Sequence, residues 1–257
     1  MVTNAMIRSP WPPSFPDVLI HTDVRTRDAH PSYDAAKAGD VDAALALALA
    51  LVIDDPRLPI FRMTGGRPFL LLPVIAEETA GFNAIPDAMA QVLAWLLMRP
   101  LTVVAGQIVQ TNKVGHTRAR AFQRLVTPAT FDGAVQPGAN YVPVDDHVGL
   151  GGTLANLRGY VEAHGGNVVG MTALTESRDG RRISLRPETL DMLKARHGEA
   201  LDQLWKGQFG YGIDSLTELE AQNLCRQPSV DAIEDFLAQA AIEARGRGLE
   251  VAVGRDE

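Results

Sequence analysis

Two adjacent aspartates, Asp145 and Asp146, follow the apolar run Tyr141–Val144, and the turn Gly149-Leu150-Gly151-Gly152 then closes on Thr153. Those residue types do two different things. Glycines let a backbone approach an anion and adopt positive φ. The free N–H groups that open the following helix attract phosphate, and a threonine there caps the helix. A bare phosphate would be repelled by the two carboxylates. A phosphorylated sugar is not, because its 5′-phosphate can sit in the loop while its ribose hydroxyls reach Asp145 and Asp146. A divalent metal can add charge balance.

Competing motifs fit less well. A dinucleotide fingerprint needs a third glycine where Leu154 stands, and its acidic residue follows the loop instead of preceding it. A phosphate loop of the Walker type ends in GK[ST], which this loop lacks. The plain alternative is a helix-capping glycine turn beside two surface aspartates.

The elements that must position these groups follow from pattern. "FLLLPVIAEE", "LTVVAGQIVQ", "NYVPVDD" and "NVVGMTALT" read as strands, separated by the helical stretches "PDAMAQVLAWLLM" and "GTLANLRGYVEAHGG". "TNKVGHTRARAFQRL" between them is part loop, part helix. Strand alternating with helix predicts an α/β domain with a mostly parallel central sheet flanked by helices, and ligands in such sheets bind at the carboxyl ends of strands. "HPSYDAAKAGDVDAALALALALVI" predicts two helices, with Pro31 in a first turn, Gly39 at the break and Asp40 as a cap. The proline-rich first thirty residues read as irregular. From Arg178 the pattern is helical. The expected organisation is an N-terminal helical extension over 1–66, a core over 67–177 and a C-terminal helical region over 178–257.

The chain has 257 residues, 46% of them hydrophobic, and a net charge of −7. That composition supports a full core and argues against disorder. No lysine or arginine run marks a nucleic-acid face, so no stable nucleic-acid partner is expected; the local exception is Lys113, Arg118, Arg120 and Arg124. The single cysteine, Cys225, forms no intrachain disulfide and reads as structural, which makes a reducing cytoplasm the default. No secretory h-region precedes residue 16, and the apolar run Ala43–Ile53 is too short to span a bilayer, so no membrane association is expected.

At Val142–Thr153 the chain resembles the type I phosphoribosyltransferases, whose signature is an apolar strand, two acidic residues and a Ser/Thr- and Gly-containing loop. Upstream, "LLLPVIAEETAGFN" and "IVQTNKVGHTRARAFQRLVTPATFDGAVQPGANYVPVDD" look like the ComF-like branch of that family. The resemblance covers residues 69–175. It implies a transferase of the glycosyltransferase class, in nucleotide metabolism, that uses phosphoribosyl pyrophosphate (PRPP) and Mg²⁺ to place ribose 5-phosphate on a nitrogenous acceptor with release of pyrophosphate. Dimers are common in that family, which leaves a homodimer open.

By the same resemblance Asp145 and Asp146 hold the ribose hydroxyls, directly or through Mg²⁺, and His147, Val148, Gly149, Leu150, Gly151, Gly152 and Thr153 form the 5′-phosphate loop. Ala76, Glu77, Glu78, Gly81 and Asn83 form the pyrophosphate loop. Thr111–Arg124 is a mobile lid bearing Lys113 and His116. Gly149 and Leu150 replace hydroxyl residues, and His147 replaces an aliphatic one. Those departures keep two alternatives open: a non-catalytic PRPP- or nucleotide-binding regulatory module, and a ComF-like DNA-uptake or mobile-element accessory protein, although the zinc-binding cysteines expected for the latter are missing. His147 reads first as a packed histidine. His30, Tyr33 and Lys37 share near-helical spacing and read first as capping and surface polarity, second as part of a nucleobase hood. Trp95 and Trp205 read as packing residues.

Overall fold

The computed structural model describes residues 7–78, 81–98, 103, 106–114 and 121–252. Its centre is a parallel sheet in the order β1 (Leu19–Ile20), β9 (Thr172–Glu176), β7 (Asn140–Val148), β2 (Leu70–Pro73), with β8 (Asn167–Val168) beside the start of β7. Val103 adds a parallel bridge to Leu71 on the far side of β2. β7 is therefore interior: Leu71 registers with Val142, and Asp145 registers with Ala173. The strands are near-continuously apolar because helices cover both faces.

Alternation along the strands splits the core. Leu71, Val142, Val144 and Leu174 pack against α2 (Tyr33–Lys37), α3 (Val41–Leu51), α4 (Arg57–Thr64) and α5 (Ile85–Leu96). Leu72, Tyr141 and Ala173 pack on the other face against Leu154, Leu157 and Val161 of α7 (Gly152–Ala163). Each such side chain, fully buried, contributes about 1.5–3 kcal/mol. A third cluster gathers Leu201, Trp205, Leu224 and Leu237 from α8 (Pro187–Phe209), α9 (Glu218–Cys225) and α10 (Val230–Gly246), with Leu125 and Val126 of α6 (Ala121–Val126).

The α/β class and the helical additions agree with expectation, and Asp40 caps α3 by accepting from the Ala43 amide at 3.0 Å. Three local readings are corrected. The proline-rich N-terminus contains β1, an edge strand pairing in parallel with β9; its backbone finds partners the sequence did not announce. The run Leu101–Gln110 is not one strand. After the turn at Gly106 (φ 78°), β5 (Ile108–Gln110) leaves the main sheet and pairs antiparallel with β6 (Phe131–Gly133). Trp95 is 70% exposed, since it falls on the outer face of α5, whereas Trp205 is fully buried. No helix among the described residues is long and apolar enough to cross a membrane.

Candidate functional site at the end of the central strand

β7 carries Asp145 and Asp146 at its C-terminal end, in the middle of the sheet, where both are buried. The Asp145 carboxylate accepts from the Asp146 amide at 2.8 Å. Asp146 Oδ2 meets the Lys37 ammonium, 2.7 Å away, from the last turn of α2. The two acids consequently separate. Burial, with the Asp146 charge beside it, holds Asp145 well above the usual carboxylate range. Burial pushes Asp146 the same way, but the Lys37 charge and hydrogen bond outweigh it and leave Asp146 below that range. The two carboxyls are thus driven apart, Asp145 toward its neutral form and Asp146 toward its charged one.

His147 lies with its ring against β9. Nδ1 is 2.9 Å from the Thr175 hydroxyl and Nε2 is 2.8 Å from the Ser177 hydroxyl. Burial lowers its pKa; the Asp146 charge opposes that, and the Arg27, Arg124 and Lys37 charges add to the lowering. Arg27 donates to Thr175 at 2.8 Å and stacks on Tyr33 at 4.6 Å. Thr175 in turn donates to the Asp146 carbonyl at 3.2 Å. The site is thus supported by a continuous hydrogen-bonded network from α1 (Val24–Asp28) through β9 to β7.

The glycine loop follows at once. Gly151 takes positive φ, 85°, and opens α7 with no side-chain cap, so Thr153, already inside the helix, is not the cap expected of it. Gly149 serves another purpose: a Cβ there would meet the Arg124 guanidinium at 2.7 Å. An arginine from α6 lies over the loop, and glycine makes room for it. Burial lowers the Arg124 pKa, yet an arginine retains its charge at neutral pH. On the loop's other side, Thr217 donates to the Leu150 carbonyl at 2.6 Å, and Ile183 and Thr217 pack against Gly151.

Other expected site residues fall in distinct places. Gly81 and Phe82 form β4, antiparallel to β3 (Glu77–Glu78), a short hairpin beyond Ala76. Asn83 is buried and accepts from the Ile85 amide at 3.2 Å, opening α5. Lys113 is exposed on the excursion between β5 and β6, whose base is closed by the Thr111–Thr130 hydrogen bond of 2.9 Å. His116, Arg118 and Arg120 lie outside the described residues. Lys37, read first as surface polarity, is a member of the site. Arg27 and Thr175 were missed; only Lys37's helical spacing with Tyr33 pointed this way.

A protein-held Mg²⁺ does not suit the pair as placed. The ion takes near-octahedral oxygen coordination, and Asp146 is already ion-paired. Among the described residues no group of three or more His, Cys, Asp or Glu side chains is arranged to hold a metal.

No family model matches the chain. It is 42% identical to Protein TraN of Escherichia coli over 240 residues, which is 93% of this chain and 53% of that protein. It is 39% identical to an uncharacterized protein of Haemophilus influenzae over 155 residues, 60% of this chain and 34% of that one. The chain therefore spans about half the length of the first relative and a third of the second. Among solved structures it is similar to an adenine phosphoribosyltransferase at 15% identity and TM-score 0.32, over 54% of this chain and 71% of that one. It is also similar to Leishmania donovani UMP synthase at 16% identity and TM-score 0.29, over 77% of this chain and 33% of that one. Both structural overlaps are slight.

Proposed function

We propose that the site binds PRPP and that the protein is a phosphoribosyltransferase acting on a nitrogenous acceptor. One observation carries this reading: the carboxylate pair ends the central parallel strand directly before a glycine loop that an arginine overlies. The 5′-phosphate would sit on the loop amides under Arg124, and the ribose hydroxyls on Asp145 and Asp146. In the reaction the C1–oxygen bond breaks with its electron pair leaving on pyrophosphate, and the acceptor nitrogen's lone pair forms the C1–nitrogen bond. The chain's part is to orient the ribose and to offset charge on the departing group. Mg²⁺ would come in on the pyrophosphate oxygens of the substrate, in keeping with its preference for substrate phosphates.

A second reading, PRPP or nucleotide sensing without turnover, is favoured by the loop itself. Gly149 and Leu150 bring no hydroxyl donors, and Thr217 pins the loop from the C-terminal region.

Calorimetry with PRPP and Mg²⁺ tests the site. The wild type should bind, and Asp145→Asn/Asp146→Asn should bind at least about tenfold more weakly, a loss of about 1.4 kcal/mol. Equal heat or no heat in both proteins would sink the reading. With binding established, pyrophosphate release over a panel of purines, pyrimidines and other amines separates transferase from sensor.

A further inference from the structure

A buried acid pair beside a phosphate loop needs a positive counter-charge, and this chain has built one in. Lys37 Nζ is 2.7 Å from Asp146 Oδ2, with the lysine side chain 26% exposed and the aspartate 10%. The ammonium is held in place by its element. Ala36, its neighbour, is fully buried, and the Ala36 carbonyl accepts from the Ala84 amide at 3.2 Å, tying the end of α2 to the start of α5. Gly39 follows at φ 103°, so tightly placed that a Cβ would meet the Phe82 carbonyl at 2.9 Å. On the preceding turn Tyr33 is stacked on Arg27. A lysine so anchored is not a surface side chain that happens to reach inward.

We infer that Lys37 is a binding residue of the ribose end of the site, standing where a divalent cation would otherwise balance the carboxylates. This rests on the sugar-phosphate reading above. Lys37 keeps Asp146 charged and oriented, so that the carboxylate faces the ribose hydroxyls with its counter-charge already in place. Two more cations frame the same strand end, Arg27 through Thr175 and Arg124 over Gly149, so the phosphate meets positive charge without a metal at the aspartates. The ribose end then binds independently of divalent metal, and any need for Mg²⁺ belongs to the pyrophosphate.

Ribose 5-phosphate, which lacks pyrophosphate, isolates that end. Calorimetry on the full chain should give the wild type the same affinity, within about twofold, in EDTA and in MgCl₂. Lys37→Met should bind at least about tenfold more weakly in EDTA, with part of the loss recovered on adding MgCl₂. Lys37→Arg should stay within about threefold of wild type in EDTA. Near-UV circular dichroism checks folding of each variant; where Lys37→Met fails to fold, the metal dependence of the wild type and the Lys37→Arg affinity decide. Wild-type binding that appears only with Mg²⁺, or Lys37→Met binding like wild type in EDTA, would overturn the role of Lys37 and leave the PRPP reading standing. Absence of ribose 5-phosphate and PRPP binding in both buffers overturns both.

Discussion

Two ion pairs flank the glycine loop, and they are built differently. Lys37–Asp146 sits on the strand side and is partly open. Arg8–Glu220 sits on the far side, at 2.6 Å, with side chains only 4% and 3% exposed. Arg8 is fully engaged: its Nε donates to Asn156 at 2.6 Å, and its other nitrogens reach Glu220 and the Gly152 carbonyl. Glu220 also accepts from the Thr217 amide at 3.0 Å within a capping box at the start of α9. Burial works to lower the Arg8 pKa, and Glu220 more than reverses it. All three guanidinium nitrogens and both carboxylate oxygens of that pair are used inside the protein. At the open pair an acid pushed toward its neutral form stands beside one that Lys37 holds charged. A sealed, satisfied pair fixes architecture, here by joining the N-terminal segment and α9 to the start of α7. An open pair whose members are driven apart in acidity is suited to a ligand.

The largest expected effect tests the sealed pair. Glu220→Ala strands a buried guanidinium and should cost about 3–5 kcal/mol in denaturant unfolding. A loss under about 1 kcal/mol would mean that the pair is not structural.

The open pair should behave asymmetrically. Asp146→Asn strands Lys37 and should destabilise by about 1–3 kcal/mol. Asp145→Asn replaces an acid that burial and the Asp146 charge push toward its neutral form, and should leave stability unchanged or raise it. The sign follows from linkage. A carboxyl whose folded pKa is raised contributes stability below its unfolded pKa of 3.8, and that contribution is lost as pH rises through the folded value. Wild type should therefore lose stability with rising pH above about 4 relative to Asp145→Asn, by thermal midpoints across a pH series. Parallel midpoint curves for the two proteins would contradict the split.

Gly149→Ala probes the loop's other cation. Its methyl group must displace the mobile end of Arg124, so PRPP affinity should fall about tenfold, about 1.4 kcal/mol, while stability changes by less than about 1 kcal/mol. Unchanged affinity would remove Arg124 from the phosphate site. The last variant, Thr217→Val, removes the hydrogen bond to Leu150 together with the side-chain cap on the Glu220 amide and should cost about 1–2 kcal/mol in unfolding. An accompanying rise in pyrophosphate release would mark that contact as a restraint on turnover.

Much of this was legible in the chain. The apolar runs of β2, β7 and β9, the Asp-Asp pair before a glycine turn, and the Asp40 cap are local patterns, and their meaning survives without knowing what surrounds them. Lys37 was visible but ambiguous, because a lysine in a short polar helix is usually solvated. Arg27 and Thr175 gave no signal, since nothing near them in sequence suggests chemistry. Leu19–Ile20 hid among prolines because two residues are too few to show a period.

By itself the sequence determined the α/β alternation, the order of carboxylates and phosphate loop on one strand–turn–helix unit, and the conformational freedom of that loop. These depend on residue types within about a dozen positions, where steric preference and hydrophobic period act directly. Only the tertiary structure decided which charges meet there. Lys37 lies 109 positions before Asp146 and Glu220 lies 212 after Arg8. Coulombic and hydrogen-bonding partners are chosen by proximity in space. That proximity, with the burial that comes with it, is what drives the acidities of Asp145 and Asp146 apart and lays Arg124 over Gly149.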